Sequence, residues 1–573
     1  MEKVWLNHYP VGVPQQIDPH EFSSISDLLE KSVQRFEQKT AFINMGRSLT
    51  YAQLDAESRA FAAFLLSVLK LQPGSRVAIM MPNVLQYPVA LFGALRAGMT
   101  VVNCNPLYTP RELEHQLKDS GADVCIVLEN FAATLQAVYQ KTHVKHVIVT
   151  SLGGMLGFKG ALVNFVVRHV KKMVPPWHIP GAIKFNDALS IGRNQAFRRP
   201  EIGHDDLAFL QYTGGTTGVP KGAMLTHGNI VSNLQQAHAW LKPHVTEGNE
   251  TIITALPLYH IFALTANCLT FVKVGAANVL ITNPRDINAF VSEMSRYPFS
   301  FLTGVNTLFN ALLNNPKFAR LDFRPLKICL GGGMAVQRAV AERWKDVTGR
   351  PLVEAYGLTE TSPAVTINPL DIAAYNGSIG LPLPSTEISI RDDTGSEVPL
   401  GETGELCVAG PQVMKGYWNR PDETAKVLTE DGYLRTGDMA CVDAEGFVRI
   451  VDRKKDMIIV SGFNVYPNEI DDVMAACPGV LEAAAVGIPD AASGEAVKVV
   501  VVRKAENVSA EDVIGYCRSK LTGYKVPKVI EFRDELPKTN VGKILRRALR
   551  DPVESAPSSV KVNEASRGER AAS

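Results

Sequence analysis

The sequence predicts a large α/β protein with a smaller α+β domain at its C-terminal end, and three observations carry this prediction. Helical and strand-like segments alternate over most of the 573 residues. Short strands separated by turn residues replace that alternation after residue 376, and charged amphipathic segments follow residue 452. Because the chain is too long for one ordinary core, its 46% apolar content is expected to fill more than one.

The first alternating region, residues 48–128, predicts a parallel sheet covered by helices. Its helices are expected at Ala52–Leu69, at Gln86–Ala97 and from Pro110 onward. Its strands are expected at Arg76–Met80, Thr100–Cys104 and Asp123–Leu128. A strand, a helix and a second strand repeat in this order, which is the arrangement of doubly wound α/β folds.

A second alternating region, residues 206–368, predicts a second doubly wound sheet. Its strands are expected at Leu207–Gln211, Asn278–Ile281, Ser300–Thr303 and Lys327–Gly331. The region includes an uncharged run, residues 251–272, whose length would suit a membrane helix. Pro257, His260 and Asn267 interrupt that run, so a buried strand, a loop and a following helix are expected instead.

These patterns divide the chain into two domains and a tail. The N-terminal domain, residues 1–452, is expected to have three subdomains, at roughly 1–200, 201–375 and 376–452. The last of these reads as a small antiparallel sheet or β-barrel. Residues 453–550 are expected to form the α+β domain, with helices near Asn468–Ala476 and Ala510–Leu521. Residues 551–573 contain no aromatic side chain, so a disordered tail is expected.

Composition and charge exclude several classes of function. The 59 basic and 58 acidic side chains give a net charge of +1, so no nucleic-acid partner is expected. The eight cysteines stand singly, without the paired spacing of zinc sites, and read as buried thiols of a reducing compartment. The N-terminal residues lack the apolar core of a secretory signal, and a cytoplasmic protein is expected.

A stretch of glycines and threonines, Tyr212-Thr-Gly-Gly-Thr-Thr-Gly-Val-Pro-Lys-Gly222, carries the first chemical signal. In a Walker A loop the lysine opens a helix whose N-terminus meets the phosphates. Here Pro220 precedes Lys221, and the apolar run that follows is typical of a strand. The stretch is therefore expected to join two strands, while its backbone N–H groups, its hydroxyls and Lys221 can still surround a phosphate. A glycine-rich hairpin turn without function is the alternative.

Further motifs follow this stretch in a fixed order. They are Leu256-Pro-Leu-Tyr-His-Ile-Phe262, Gly331-Gly-Gly-Met334, Ala355-Tyr-Gly-Leu-Thr-Glu360, Tyr433-Leu-Arg-Thr-Gly-Asp438, Asp452-Arg-Lys-Lys-Asp456, Ser461-Gly-Phe-Asn464 and Pro537-Lys-Thr-Asn-Val-Gly-Lys543. Over roughly residues 10–550 the chain resembles the adenylate-forming enzymes, the superfamily of acyl-CoA synthetases, luciferases and adenylation domains. Within it, the runs Asp431–Pro467 and Ile281–Asp286 are most similar to the bacterial long-chain fatty-acyl-CoA synthetases.

The resemblance implies a reaction in two halves that consumes ATP and CoA. A carboxylate attacks the α-phosphorus of ATP to give an acyl-adenylate and pyrophosphate, and the CoA thiol then displaces AMP. The residues implied to hold the β- and γ-phosphates are Thr213, Gly214, Gly215, Thr216, Thr217, Gly218 and Lys221, and Tyr212 is implied to belong to the same nucleotide site. Glu360 is the implied Mg²⁺ ligand, with Thr213 as a second candidate. A surface carboxylate or a helix-capping partner is the alternative for Glu360.

The resemblance also implies where the nucleoside binds. The residues expected around adenine are Gly331, Gly332, Gly333, Ala355, Tyr356 and Gly357, and Thr359 is expected to belong to the same nucleotide site. Missing side chains would admit a flat ring, although a glycine triplet after a strand is also compatible with a tight turn. Asp438 and Arg453 are expected to bind the ribose hydroxyls, and a structural salt bridge between these two side chains is the alternative.

Lys543 is the residue expected to drive adenylation. It belongs to a polar, glycine-containing loop ahead of a basic helix, Ile544–Arg550, and its ammonium group can meet both the incoming carboxylate and the α-phosphate. One more solvated lysine of a basic cluster is the alternative. The resemblance implies that the small domain rotates about a hinge at Lys455 and exchanges the lysine loop for the Gly462 segment. His260 is expected to be either catalytic, near the CoA thiol, or a buried structural histidine.

The substrate is expected to be a long-chain fatty acid. Phe262, Ala263 and Leu264 look like the lining of an apolar pocket, where each buried methylene would contribute about 0.8 kcal/mol. The resemblance then implies a ligase that supplies acyl-CoA to β-oxidation. The alternatives are an enzyme that loads a carrier protein or uses medium-chain or aryl acids, and a fatty-acid-binding protein without catalysis, which the intact motifs oppose. A homodimer is left open.

Residues 131–186 contain seven Lys or Arg and no Asp or Glu. Within them, the run Gly160–Met173 is apolar with basic residues at intervals, too short to span a bilayer but suited to lie on an anionic one. We expect peripheral association with the inner face of the cell membrane, where fatty acid partitions. A helix packed on the core with solvated lysines is the alternative.

Overall fold

The computed structural model describes residues 2–213, 220–490, 493–504, 508–539 and 542–550, together with the backbone of 559–561. Two large sheets covered by helices are followed by a small antiparallel sheet and a C-terminal α+β region. The predicted fold class is therefore confirmed. The boundaries of the domains stay a prediction, and most of the predicted tail, 551–573, lies outside the described residues.

The first large sheet has seven strands. Their order across the sheet is Ile183–Lys184, His146–Thr150, Val124–Leu128, Arg76–Met80, Thr100–Asn103, Leu207–Thr213 and Lys221–Thr226. The last two are antiparallel, so the glycine-threonine stretch does join two strands. The assignment of Leu207–Gln211 to the second sheet is wrong, because this strand pairs in parallel with Thr100–Asn103. A strand that is apolar on both faces carries no sequence signal of which sheet it joins.

The second large sheet has nine strands. Their order is Leu381–Pro382, Ala364–Ile367, Leu352–Gly357, Ile328–Gly331, Phe301–Gly304, Thr251–Thr254, Ala277–Leu280, Thr40–Asn44 and Arg47–Thr50. The uncharged run 251–272 forms the predicted strand, a loop and a π-helix, Ala263–Leu269, that continues into the α-helix Thr270–Lys273. Among the described residues, every helix is too short or too polar to cross a membrane.

Helices cover the faces of both large sheets. The α-helices of this part of the chain are Ile25–Phe36, Tyr51–Ala63, Gln86–Arg96, Pro110–Ser120, Ala132–Gln136, Phe158–Phe165, Phe185–Arg193, His227–Leu241, Ile287–Met294, Asn306–Leu313 and Arg338–Thr348. Local sequence sets several of their starts: Thr50, Thr109 and Thr226 each accept the N–H of the third helical residue. The predicted helix Ala52–Leu69 continues past Ala63 as one π-helical segment, Phe64–Val68.

The small sheet is antiparallel and has four strands, Glu387–Arg391, Gly404–Ala409, Leu434–Val442 and Val448–Arg453. A short helix, Pro421–Val427, lies between the second and third of these strands in the sequence. Asp438 stands opposite Arg453 across the last strand pair. This register places two of the predicted site residues side by side at one end of the sheet.

The C-terminal region packs helices on a third sheet. Its strands are Ile458–Val460, Phe463–Val465, Val480–Asp490, Gly494–Arg503, Val529–Phe532 and Ser559–Lys561. Its α-helices are Pro467–Ala475, Ala510–Lys520 and Arg547–Arg550. The predicted basic helix Ile544–Arg550 is shorter than expected because Ile544 pairs with Lys538 in a β-bridge. Within the predicted tail, residues 559–561 pair with Val529–Phe532 in antiparallel register.

Candidate functional site

A cavity of about 1900 Å³ is lined by residues of both large sheets, the small sheet and the C-terminal region. The predicted site residues that line it are Tyr212, Thr213, Lys221, His260, Gly332, Gly333, Ala355, Tyr356, Gly357, Thr359, Glu360, Asp438, Arg453, Lys455 and Lys543. Gly214, Gly215, Thr216, Thr217 and Gly218 lie outside the described residues. Tyr212 and Lys543 are 331 positions apart in the sequence and line the same cavity.

Two predicted residues do not line this cavity. Gly331 is buried beneath its wall, where a Cβ would come within 2.7 Å of Val336 Cγ2. Its missing side chain therefore serves packing, and its assignment to adenine stays a prediction. Gly462 is exposed in the turn between Ile458–Val460 and Phe463–Val465, with φ +84°. In this arrangement of the chain the Gly462 segment stands outside the cavity.

The strands on either side of the glycine-threonine stretch fix its two ends. The Tyr212 hydroxyl donates to Asp119 Oδ2 at 2.7 Å, and burial together with Asp119 raises the pKa of Tyr212 well above its usual range. Lys221 Nζ lies 2.7 Å from a Glu423 carboxylate oxygen and 4.7 Å from the centre of the Tyr417 ring. The Lys221 ammonium group borders the cavity, where a phosphate can compete with Glu423 for it.

Glu360 lies in a short 3₁₀ turn, Thr359–Thr361, that follows a strand of the second sheet. Its carbonyl accepts the Met414 N–H at 2.8 Å, and its Oε1 accepts the Tyr417 hydroxyl at 2.7 Å. Its Oε2 has no hydrogen-bond donor within the part of the chain that the structure describes. Glu360 thus lines the cavity with only one of its two carboxylate oxygens bound to a described donor.

These donors fit a magnesium ion that arrives with phosphates. Mg²⁺ keeps several waters and is commonly held by one or two carboxylates together with substrate phosphates. Glu360 supplies one such carboxylate, and Thr213 lines the same cavity. Among the described residues, no group of three His, Cys, Asp or Glu could hold a metal ion by itself. Glu360 and Thr213 therefore fit a cation that phosphates also bind.

The wall expected to hold adenine is built largely from backbone. Gly332 and Gly333 line the cavity, and Gly333 has φ +76°, which favours glycine. A Cβ at Gly332 would come within 3.1 Å of the Ala355 carbonyl oxygen. Gly357 has a packing role as well, because a Cβ there would meet the Pro363 carbonyl oxygen at 1.9 Å. Side chains at Gly332 and Gly357 would therefore crowd the backbone on this side of the cavity, here called the adenine cleft.

Asp438 and Arg453 form an ion pair at the rim of this cleft. Arg453 Nε lies 2.7 Å from Asp438 Oδ1, and the Tyr356 hydroxyl donates to Asp438 Oδ2 at 2.5 Å. Against the effect of burial, Asp438 raises the pKa of Arg453, so the guanidinium stays charged. The salt bridge that the sequence left as an alternative exists. Since both side chains line the cavity, the same pair can also meet a diol.

Lys543 reaches the cavity from the C-terminal region. Gly542, with φ +86°, turns the chain just before it, and the Gly542 carbonyl accepts the Thr307 hydroxyl at 3.0 Å. The Lys543 N–H donates to Thr539 Oγ1 at 3.1 Å. Burial, and then the charge of Arg453, lowers the pKa of Lys543 to about 8. An ammonium group that is largely removed from water and held by its loop interacts strongly with an anion.

His260 is anchored by its own backbone and also borders the cavity. Its N–H donates to the Pro257 carbonyl at 2.9 Å, and its Nδ1 accepts the Phe262 N–H at 3.3 Å. Burial, and then the charge of Lys543, lowers the pKa of His260 to about 4. The ring is therefore neutral near pH 7, with its proton on Nε2. Both expected roles of His260, structural and catalytic, are compatible with this placement.

Apolar side chains of the helix His227–Leu241, of the second sheet and of the helix Thr270–Lys273 line part of the cavity, here called the apolar branch. Its side chains include Ala237, Trp240, Ile252, Phe271, Phe301 and Ile367. The Trp240 indole N–H donates to the Asn368 carbonyl at 3.0 Å, so its polar atom is satisfied and the ring offers carbon surface. Of the three residues expected to line an acyl pocket, Phe262 does so, whereas Ala263 and Leu264 are buried behind the wall.

A segment that the sequence analysis missed supports the phosphate side of the cavity. Residues 414–420 run beside the strand Lys221–Thr226, with Ala223 opposite Tyr417. The segment carries Tyr417, which holds Glu360, and Arg420, which pairs with Asp119 at 2.7 Å. Two adjacent aromatic residues after a glycine were the available signal. Nothing in the sequence pairs them with residues far away along the chain.

Comparison with known proteins agrees with this architecture. Residues 29–418 match the AMP-binding enzyme family, and residues 469–543 match the AMP-binding enzyme C-terminal domain. The chain belongs to the AMP-binding enzyme family, which confirms the predicted resemblance to adenylate-forming enzymes. Curated long-chain-fatty-acid–CoA ligases are similar over nearly its whole length, which confirms the closer resemblance as well.

The relatives and solved structures cover almost all of the chain. The Escherichia coli ligase is 60% identical over 552 residues, 96% of this chain and 98% of its own. The Haemophilus influenzae ligase is 56% identical over the same shares of both chains, 96% and 98%. An anthranilate CoA ligase in complex with anthranoyl-AMP superposes with a TM-score of 0.82 at 26% identity, over 93% of this chain and 98% of that one. ATP-bound MatB from Rhodopseudomonas palustris gives 0.79 at 29% identity, over 92% and 98%.

Proposed function

We propose that this protein is an ATP-dependent, AMP-forming ligase that joins long-chain fatty acids to CoA through an acyl-adenylate. One observation carries the proposal: Lys543, the Asp438–Arg453 pair and Glu360 line the same cavity as the side chains of the apolar branch. Relatives that are 56% and 60% identical carry the name of this activity. The acyl-CoA product is the form in which fatty acids enter β-oxidation.

In the first half-reaction, a carboxylate oxygen of the fatty acid bonds to the α-phosphorus as the bond to the β-phosphate oxygen breaks. The Lys543 ammonium group attracts both reactants and stabilises the negative charge that they bring together. Thr213 and Lys221, with the stretch between them, receive the leaving pyrophosphate. Glu360 and Thr213 are the residues that would hold Mg²⁺, whose charge offsets that of the phosphates.

The nucleoside is held by the opposite wall. Gly332, Gly333 and the run 355–357 form the cleft for adenine, and Thr359 lies at its end. Asp438 accepts from the ribose hydroxyls while Arg453 donates to them. Because the two side chains already bind each other at 2.7 Å, they need little rearrangement to orient the sugar.

In the second half-reaction, the CoA sulfur attacks the acyl carbonyl carbon and AMP leaves with the bonding electron pair. We assign Lys455 as the hinge about which the C-terminal region turns, so that the Gly462 segment replaces the Lys543 loop. The present arrangement, with Lys543 inside the cavity and Gly462 exposed, suits the first half-reaction. Neutral His260 borders the space that the lysine loop would vacate, near the incoming thiol.

The place where long-chain fatty acids accumulate indicates where in the cell the enzyme acts. Long-chain fatty acids partition into bilayers, so we assign the protein to the cytoplasm, associated peripherally with the inner face of the cell membrane. An enzyme that loads a carrier protein or takes aryl acids has less support, since the apolar branch is lined by carbon surface from Trp240, Phe271 and Phe301.

Release of AMP, measured with palmitate, octanoate and acetate, each with and without CoA, tests this function. We expect the fastest release with palmitate and a strict requirement for CoA for turnover. Turnover without CoA would indicate an enzyme that discharges or transfers its adenylate by another route. Preference for acetate would contradict the assignment of the apolar branch to the acyl chain.

A further inference from the structure

The helix Phe158–Phe165 and its π-helical continuation Val166–Val170 carry an exposed apolar stripe. Five of the twelve large exposed hydrophobic residues of the described chain fall between positions 158 and 173. They are Phe158, Leu162, Phe165, Val170 and Met173, with exposed fractions from 55% to 105%. Positions 158, 162 and 165 share one helical face, so the first three side chains form a continuous strip.

The other side of the helix is fixed to the protein, which sets the direction of the stripe. A Cβ at Gly160 would lie 2.0 Å from the Gly153 carbonyl oxygen, so the two backbones are in direct contact. Asn164 accepts the Gly153 N–H at 2.7 Å and donates to Ser151 Oγ at 3.0 Å. Val167 is buried in the following turn. The stripe therefore faces solvent because the helix is held by its small and polar face, and not because the helix is loose.

The charges around the stripe are positive and mostly free of protein partners. Lys159, Lys171 and Lys172 are exposed, and none has an ion pair with a described residue. Arg168 differs, because its guanidinium makes a bidentate contact with Glu129, 2.7 Å at the closer pair of atoms. Glu129 is outside the acid-free region, so counting charges within that region overstates the free positive charge. Three lysines remain to attract an anionic partner.

We propose that this stripe and its three lysines, here called the docking face, bind the protein to an anionic lipid bilayer. This inference rests on the proposed function, because a ligase for long-chain fatty acids would find its substrate in a bilayer. At 1.5 Å per residue the helical segment is about 20 Å long, so it lies in the plane of the interface and does not cross it. Apolar side chains would enter the acyl boundary while the lysines meet lipid phosphates.

Charge complementarity distinguishes this occupant from a second copy of the chain. A twofold contact through the docking face would bring the lysines of both copies together, and Glu129, which contacts this segment, is already paired with Arg168. A bilayer containing phosphatidylglycerol presents phosphates to the lysines and hydrocarbon to Phe158, Leu162 and Phe165. The observed face therefore matches an anionic membrane on both counts.

Vesicle flotation of the full chain tests the docking face. The wild-type protein should float with vesicles of phosphatidylcholine and phosphatidylglycerol, but weakly with phosphatidylcholine alone. A triple Lys159→Gln, Lys171→Gln, Lys172→Gln variant should bind the mixed vesicles about 10²-fold less, at roughly fivefold per lysine. A Phe158→Ser, Leu162→Ser, Phe165→Ser variant should lose binding to both. An Arg168→Gln change is avoided because it would leave Glu129 unpaired.

Matched controls separate the docking face from general surface effects. Lys317, Lys345 and Lys520 are also exposed, and their triple Gln variant should float like the wild type. A double Val11→Ser, Leu400→Ser variant changes exposed apolar residues elsewhere on the protein, and it should also float like the wild type. Equal loss in the control and docking-face variants would overturn the proposal, as would full binding by the docking-face variants. A serine variant that turns a dimer into a monomer without reducing flotation would assign the face to a second copy instead.

An activity assay distinguishes failure of the proposed function from failure of the docking face. With palmitate delivered on albumin and no vesicles present, the docking-face variants should make palmitoyl-CoA at the wild-type rate, because none of the changed residues lines the cavity. A wild-type protein that floats but makes no palmitoyl-CoA would refute the proposed function and leave the docking face intact. A wild-type protein that makes palmitoyl-CoA but never floats would refute the docking face alone.

Discussion

The Thr307 hydroxyl donates a hydrogen bond of 3.0 Å to the carbonyl oxygen of Gly542, the residue before Lys543. This bond joins the helix Asn306–Leu313 to the loop that carries the lysine. A Cβ at position 542 would lie 2.8 Å from Thr307 Oγ1, so the Thr307 side chain packs directly against the Gly542 backbone. The same helix makes a second contact with the C-terminal region, from Asn310 Nδ2 to the Leu481 carbonyl at 3.3 Å. Both contacts hold the arrangement in which Lys543 is inside the cavity.

Replacing Thr307 by valine keeps the shape of the side chain and removes its donor. We expect ATP–pyrophosphate exchange to slow about fivefold, since one neutral hydrogen bond contributes about 1 kcal/mol. Thioester formation from supplied palmitoyl-adenylate should keep its rate, because in the proposed mechanism the lysine loop leaves the cavity for that step. Thr307→Ser restores the hydroxyl and should recover the exchange rate. If the valine variant slowed both half-reactions alike, Thr307 would be a structural residue and not a positioning one.

Substitution of Lys543 itself should separate the half-reactions more sharply. Lys543→Ala is expected to slow pyrophosphate exchange by about 10² or more, the scale of losing one preorganised charged donor. Palmitoyl-CoA formation from supplied palmitoyl-adenylate should be spared. Lys538→Ala is the matched control, since Lys538 belongs to the same loop but pairs with Glu482 at 2.6 Å. Equal losses in both half-reactions would remove Lys543 from the adenylation step.

The pH dependence of adenylation should report the same residue. Burial, with the nearby charges of Arg453 and Lys455, places the pKa of Lys543 at about 8, whereas Asp438 acts in the opposite direction. The charged form is the active one, so exchange should be fastest below this pKa and fall as pH rises through it. Arg stays charged over this range. The alkaline fall should therefore vanish in Lys543→Arg, measured at constant ionic strength, and its persistence there would assign it to another group.

Features of the fold that depend on neighbouring residues were predicted from the sequence, whereas features that depend on contacts between distant residues were not. The strand Arg76–Met80 was predicted at both ends, because its apolar run stops at turn residues that lie next to it. Assignment of Leu207–Gln211 to the wrong sheet has the opposite cause: the neighbour of a fully apolar strand is decided by packing across more than a hundred residues. Local patterns define elements, and distant contacts define how they are joined.

The same distinction between local patterns and distant contacts holds for the candidate site. Motifs predicted which side chains meet in the cavity, and Glu360, Asp438, Arg453 and Lys543 all line it. The motif does not decide the role of Gly331, because a glycine that packs against Val336 looks the same in sequence as one that admits a ligand. The supporting contacts of Glu360 and Lys543 were missed altogether. Their partners stand 57 and more than 230 residues away, and nothing local marks either one.

Tyr417 is expected to influence the Mg²⁺ concentration that pyrophosphate exchange requires. Its hydroxyl donates to Glu360 Oε1 at 2.7 Å and so fixes the carboxylate. Hydrogen bonds to charged groups contribute roughly 1.5–3 kcal/mol, so Tyr417→Phe should raise the Mg²⁺ concentration for half-maximal pyrophosphate exchange about tenfold or more. Tyr433→Phe, which removes a hydroxyl near Glu387 outside the cavity, is the control. An unchanged Mg²⁺ requirement in Tyr417→Phe would argue against Glu360 as the ligand.

The apolar branch should set the chain length of the substrate. Ala237 lines this branch on the helix His227–Leu241 and is 6% exposed, so a phenylalanine there would occupy space that a long acyl chain needs. Excluding about four methylenes would cost about 3 kcal/mol, and Ala237→Phe should lower kcat/KM for palmitate about 10²-fold. Octanoate should be affected only a few fold, and Ala237→Val should give an intermediate result. Equal loss with both acids, in a variant whose unfolding temperature is unchanged, would place the acyl chain elsewhere.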